Sequence, residues 1–139
     1  MIRKHKHNIL PAFILLLFGI LAIWWYSWEK PRRDANNESS LHIAAVDLFK
    51  AYSEDEKKAN SLYLDKVIAV KGKIAELKEN QQGQQLVLLS TSDPIFGVAC
   101  TMKKKNPELK TGDTTTLKGF CSGFTSDVVI RECQVSQNP

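Results

Sequence analysis

The chain has no cysteine before Cys100 and only two after it, Cys121 and Cys133. The absence upstream excludes a lipid-modified N-terminal cysteine. No CxxC pair occurs, which excludes the dithiol redox motif and the ligand spacing of a zinc site. Histidine is equally sparse: His5 and His7 belong to an N-terminal basic flank, and His42 stands alone, far in sequence from any serine- or cysteine-bearing strand. There is no glycine-rich phosphate loop. With no nucleophile–base pair and no metal set, the sequence presents no catalytic residue, no cofactor site and no metal site, and reads as that of a non-enzyme.

A basic domain face is also missing. The net charge is +4 over 139 residues. Residues 1–40 carry six Lys/Arg against three Asp/Glu, whereas residues 41–139 carry 13 against 12. The basicity therefore sits in the N-terminal segment, and the footprint that nucleic-acid binding leaves on a folded domain is not seen.

What is present begins with an uncharged apolar run over residues 9–28, ILPAFILLLFGILAIWWYSW. As a helix at ~1.5 Å per residue it matches the ~30 Å hydrocarbon thickness of a bilayer. Arg3, Lys4 and Lys6 in residues 1–8 precede it, and Trp24, Trp25, Tyr26 and Trp28 crowd its far end. Basic residues favour the cytoplasmic side and amphipathic rings the interface, so the expectation is one retained transmembrane helix with the C-terminal domain outside. A cleaved signal would need a shorter apolar region and small residues before the cut, and here the run ends in Trp, Tyr and Trp. In a bacterium this places the chain in the inner membrane, single-pass, with its domain on the periplasmic side.

Residues 29–40, EKPRRDANNESS, are polar and lack apolar periodicity, as expected of a linker. Leu41, Ala44, Ala45, Leu48, Phe49 and Tyr52, then Ala59, Leu62 and Tyr63, follow helical spacing. They predict one amphipathic helix over about residues 41–63, capped by Ser39 or Ser40. The run Glu54-Asp55-Glu56-Lys57-Lys58 reads as a solvated face with local ion pairing.

Five strands are predicted downstream, at residues 66–78, 86–92, 95–102, 114–123 and 127–135. Gly72 sits inside the first, where a bend or bulge belongs. Leu86-Val87-Leu88-Leu89 is apolar at four successive positions, which implies cover on both faces, with the preceding helix as the candidate. Five strands with a connection between the third and fourth suit a mainly β, Greek-key barrel of the OB type. The domain spans residues 41–135, and 136–139 form a tail.

The segments DLFKAYSEDEKKANSLYLDKVIAVKGKI, GVACTM, LKTGDTTTLKGFCSGF and DVVIREC together resemble the bacterial tRNA_anti-like OB-fold family over about residues 42–135. The marks are Ala59-Asn60 with Tyr63, Gly72, the Gly-Val-x-Cys ending at Cys100, Gly119-x-Cys121-x-Gly123, Asp127-Val128-Val129 and Cys133. The resemblance implies a small exported or membrane-bound protein with no assigned activity. The family name refers to a likeness to anticodon-binding domains and does not imply RNA binding. Thr114-Thr115-Thr116 departs from the usual apolar strand.

If the domain lies outside the membrane, disulfides persist there. Cys121 and Cys133 fall on successive strands of one hairpin, and their bond would close a loop worth ~3 kcal/mol. Cys100 with Cys121 is the alternative, and one buried free thiol remains either way. Lys103-Lys104-Lys105, with Lys110 close by, is the local basic cluster, read as a solvated loop or as a patch for an anionic ligand. Base stacking asks for aromatics on the second and third strands, and only Phe96 is on offer. The expectation is a membrane-anchored, non-catalytic module binding an envelope protein, peptide or glycan. Nucleic-acid binding is the alternative.

Overall fold

A computed structural model describes residues 9–28 and 33–137, with side chains at 11–27 and 33–137. The flank 1–8, residues 29–32 of the expected linker and the last two tail residues lie outside the described residues. The chain divides into two compact units, residues 1–33 and 34–139.

In the first unit, α1 (Ile9–Trp28) is a twenty-residue helix. Among the described residues no helix is long and apolar enough to cross a membrane. The span expected at residues 9–28 is thus present as a helix and not as a demonstrated crossing.

The second unit departs first from expectation at residues 34–40, which are not a free linker. Asp34 opens a turn in which its carboxylate accepts from the Asn36 N–H at 3.1 Å and its carbonyl from the Asn37 N–H at 3.0 Å. Ala35 is buried with Val67 and Phe120. Lys118 Nζ donates to the Glu38 carbonyl at 2.6 Å. Short polar side chains turned the chain back onto the domain, where the composition alone read as solvated.

The single helix expected at residues 41–63 is three elements. β1 (Leu41–Ala44) lies parallel to the next strand, α2 (Ala45–Glu54) follows, and α3 (Glu56–Tyr63) comes after a break at Asp55. Asp55 Oδ1 accepts from the Lys58 N–H at 3.0 Å, so this carboxylate starts a new helix by satisfying a first-turn amide. Ser39 and Ser40 are not the cap of α2; Ala44 occupies that position with no side-chain bond. Leu48, Phe49 and Tyr52 of α2 are buried, and Tyr52 stacks on Phe124 at 5.8 Å between ring centroids.

Five further strands make the barrel: β2 (Val67–Glu79), β3 (Gln85–Leu89), β4 (Val98–Met102), β5 (Thr114–Phe124) and β6 (Val128–Val135). The sheet order is β1-β2-β3-β4-β6-β5, and β2 pairs with β5 to close the ring. β4 and β6 run parallel, while the other barrel pairs are antiparallel. The fold is mainly β, with the five-stranded barrel expected.

β2 is long because it serves two partners. Its first half pairs with β5 and β1, and its second half with β3, with a bulge between Ile74 and Glu76. Gly72 marks the crossover: a Cβ there would meet Ala45 Cβ at 2.9 Å and Leu89 Cβ at 3.2 Å. Ile68, Val70, Ile74, Val87, Leu89, Val98, Leu117, Val128 and Ile130 fill the interior, and α2 closes it with Leu48 and Tyr52.

Candidate functional site

In OB barrels, ligands meet the outer face of the second and third barrel strands and the loops beside it. Here those strands are β3 and β4. Alternation puts Val87 and Leu89 inside and Leu86 and Leu88 outside, half-buried. The helix expected to cover Leu86 and Leu88 is at the barrel end instead. Leu86 lies opposite Thr101 and Leu88 opposite Ala99, and Ala99 in turn neighbours Val129 on β6. The result is an aliphatic strip, Leu88-Ala99-Val129 with Leu86 beside it, bordered on β2 by the Glu76–Lys78 ion pair at 2.9 Å.

The strip ends at a braced knuckle before β4. Asp93 Oδ1 accepts from the Ile95 and Phe96 N–H groups at 2.8 and 2.9 Å, and Thr91 Oγ1 donates to the Phe96 carbonyl at 2.8 Å. These amides hold the Asp93 carboxyl below its ordinary value, first through Phe96 and then Ile95. Ile95 is 72% exposed. Phe96, expected on the third strand, is in this loop. The Gly97 N–H donates to Asp127 Oδ1 at 2.7 Å, tying the knuckle to the β5–β6 corner.

At the other end of β4 lies a groove of about 600 Å³. Met102, Cys133 and Val135 line its base, with Asp34, Asn36 and Gln134 on one side and residues 103–108 on the other. Lys103, Lys104 and Lys105 all line it, as the cluster's spacing allowed, but they are not an open cationic patch. Lys103 Nζ is 3.1 Å from Asp34 Oδ2, and Lys105 Nζ is 2.8 Å from Glu79 Oε2. Glu108 adds a further negative charge. Lys110 lies outside the groove, its carbonyl accepting from the Asp113 N–H at 3.2 Å.

The residues that shape this groove were missed by sequence reasoning. Gln85 is the buried polar residue of the domain core, at 8% exposure. Its Oε1 accepts from the Asn106 N–H at 2.7 Å and its Nε2 donates to the Asn106 carbonyl at 3.0 Å. This two-point clamp holds the 103–110 connection in place, and a separation of 21 residues left no local signal for it. Asp34 is shared by Lys103, by Gln134 Nε2 at 3.1 Å and by the Asn36 N–H. The Asn36 amide is the larger influence and Lys103 the next in lowering its pKa. The DANN run was the available sign of that turn.

The cysteines depart from both expected pairings. Cys100, Cys121 and Cys133 are buried free thiols. On the β5–β6 ladder Cys121 faces Ile130 and not Cys133. The Cys121 sulfur lies 3.3 Å from the Tyr52 hydroxyl. Burial first, and that contact second, raise the Tyr52 pKa, so the phenol stays neutral. Among the described residues no three His, Cys, Asp or Glu side chains gather as a metal site.

A family model described as tRNA_anti-like matches residues 1–135. No curated protein matches the chain. The crystal structure of a candidate nucleic acid-binding lipoprotein from Klebsiella pneumoniae is similar at 17% identity and a TM-score of 0.58, over 77% of this chain and 100% of that one. A candidate aspartyl-tRNA synthetase from Leishmania major matches at 11% identity and a TM-score of 0.44, over 78% of this chain and 24% of that one. At 17% identity the likeness to the Klebsiella protein is one of fold.

Proposed function

Since the chain belongs to the tRNA_anti-like family, we propose that it is a membrane-anchored, non-catalytic OB-fold binding module of the bacterial cell envelope. Its ligand is a protein, peptide or glycan, with a protein or peptide segment favoured. The observation that carries this reading is the outer face of β3 and β4. It is an aliphatic strip of Leu86, Leu88, Ala99 and Val129, with Ile95 and Phe96 exposed at one end.

Nonspecific binding of single strands relies on a cationic groove and a series of stacking rings. Phe96 is the one ring beside this strip among the described residues, and Lys78, Lys103 and Lys105 are each held by a carboxylate. Such a surface suits apolar side chains presented by another chain. The anchor rests on the uncharged twenty-residue α1 and the basic residues before it, which also favour the domain outside.

Nucleic-acid binding is the second reading, favoured by the description of the Klebsiella protein and by Lys104, which has no acidic partner among the described residues. Fluorescence anisotropy with the full chain in detergent separates the two. We expect no saturation by single-stranded DNA or RNA below about 100 µM at ~0.15 M salt. Micromolar binding would reverse the ranking. A reporter fused after Pro139 is expected to be active outside and silent inside, and the opposite result would remove the envelope assignment.

A further inference from the structure

Strand order decides which cysteines can meet. β6 lies between β4 and β5, and Ile130 is the register partner of both Cys100 on β4 and Cys121 on β5. Two interstrand steps of about 4.8 Å separate those two cysteines, beyond the ~7 Å Cα limit for a disulfide. Cys121 and Cys133 share a hairpin, but the Cys121 sulfur is taken up by the Tyr52 hydroxyl at 3.3 Å.

Cys100 and Cys133 remain, on neighbouring parallel strands. Between the pairs Cys100–Ile130 and Met102–Cys133 the ladder shifts, so that two β6 residues answer one on β4. Glu132, at φ 52°, is in that bulge, and such a bulge re-aims the side chain that follows. Cys133 and Cys100 both come to 0% exposure in one core cluster. Gly119 leaves the space, since a Cβ there would stand 2.9 Å from Cys133 Sγ. The Cys133 thiol donates to the Ile130 carbonyl at 3.5 Å, and Cys100 is the neighbouring side chain that acts on it.

We propose that Cys100 and Cys133 are a disulfide site, joined when the chain folds under oxidising conditions, with Cys121 left as the buried free thiol. Two S–H bonds break and one S–S bond forms. The two protons and two electrons pass to an oxidised dithiol donor, whose own S–S bond is reduced to two thiols. Burial, and then the contact with Cys100, push the Cys133 thiol well up. In the closed barrel it is a sealed, protonated thiol, so exchange takes place before β6 docks. The bond then fastens β6 to β4 directly beneath the groove, whose base includes Met102 and Cys133.

Formation in the cell rests on the outward placement proposed above, whereas the pairing itself is read in vitro. The full chain in detergent is unfolded, refolded in a mixed oxidised and reduced glutathione buffer or in dithiothreitol, alkylated under denaturing conditions and mapped without reduction. The expected product links the Cys100 and Cys133 peptides and carries alkyl only on Cys121. Its unfolding midpoint is expected to rise by roughly 10 °C or more over the reduced form. Cys121→Ala is expected to keep the link. Three alkylated cysteines after oxidising refolding, or a link that includes Cys121, would overturn the proposal. A link formed in vitro together with a reporter active only inside would remove the envelope reading and leave the pairing standing.

Discussion

The Gln85 clamp is the point at which one side chain sets the shape of the groove, and it can be tested on its own. Gln85→Met keeps the volume and removes both bonds to Asn106, at 2.7 and 3.0 Å. Each such bond contributes about 1 kcal/mol net, and because Asn106 is only half-buried, water can replace the lost partners. The loss should therefore be about 2 kcal/mol, without the full penalty of orphaned groups. For a unit of this size that lowers the unfolding midpoint by roughly 8–16 °C. Gln85→Glu should fall between, because a carboxylate still accepts from the Asn106 N–H but opposes its carbonyl. Asn106→Ala should cost little, since the clamp uses only that residue's backbone. The direct readout is hydrogen exchange at the Asn106 amide, which should quicken in Gln85→Met while the amides of β2 and β5 stay protected. Unchanged protection with a midpoint within ~2 °C of the parent would refute the clamp.

Three further outcomes follow from the packing and the charges. In Gly119→Ala the new methyl meets Arg131 O at 2.6 Å and Ile130 Cγ2 at 2.8 Å. Overpacking against a strand backbone should cost about 3 kcal/mol, read as a lower urea midpoint at constant slope. Tyr52→Phe removes the hydroxyl contact with Cys121 and keeps the ring stack on Phe124, so a loss of about 1 kcal/mol is expected in the same measurement. Asp34→Asn tests the turn by pH. The folded carboxyl lies below its ordinary 3.8, so its contribution is complete above that value and is lost as pH falls through the lower folded one. Melts from neutral to acid should show a constant gap between parent and variant that closes only below the ordinary value. A gap that persists in acid would show that the charge is not its source.

The strands were legible because each rests on local patterns. β2, β5 and β6 appear within a residue or two of the ranges expected from β-branched residues and glycines. The helix was less so. Leu41–Ala44 fits helical spacing, yet it pairs with Leu41 opposite Ile68, a partner no local window contains. Asp55 looked like part of a solvated charge run, and as a cap it broke the helix instead. The lysine cluster was visible as a cluster, but its neutralisation by Asp34 and Glu79 depends on residues 69 and 26 positions away.

By itself the sequence determined the strand segments, the buried face of α2 and the apolar N-terminal run, all carried by periodicity and composition within short windows. The tertiary structure alone decided which strands are neighbours. Barrel closure sets β6 between β4 and β5, and that placement parts Cys100 from Cys121 and puts it on the strand next to that of Cys133. It also turns Leu86 and Leu88 outward and sets Gln85 beneath Asn106. The physical reason is that register is a property of pairs of strands: hydrogen bonds between distant segments select it, and no single segment encodes it.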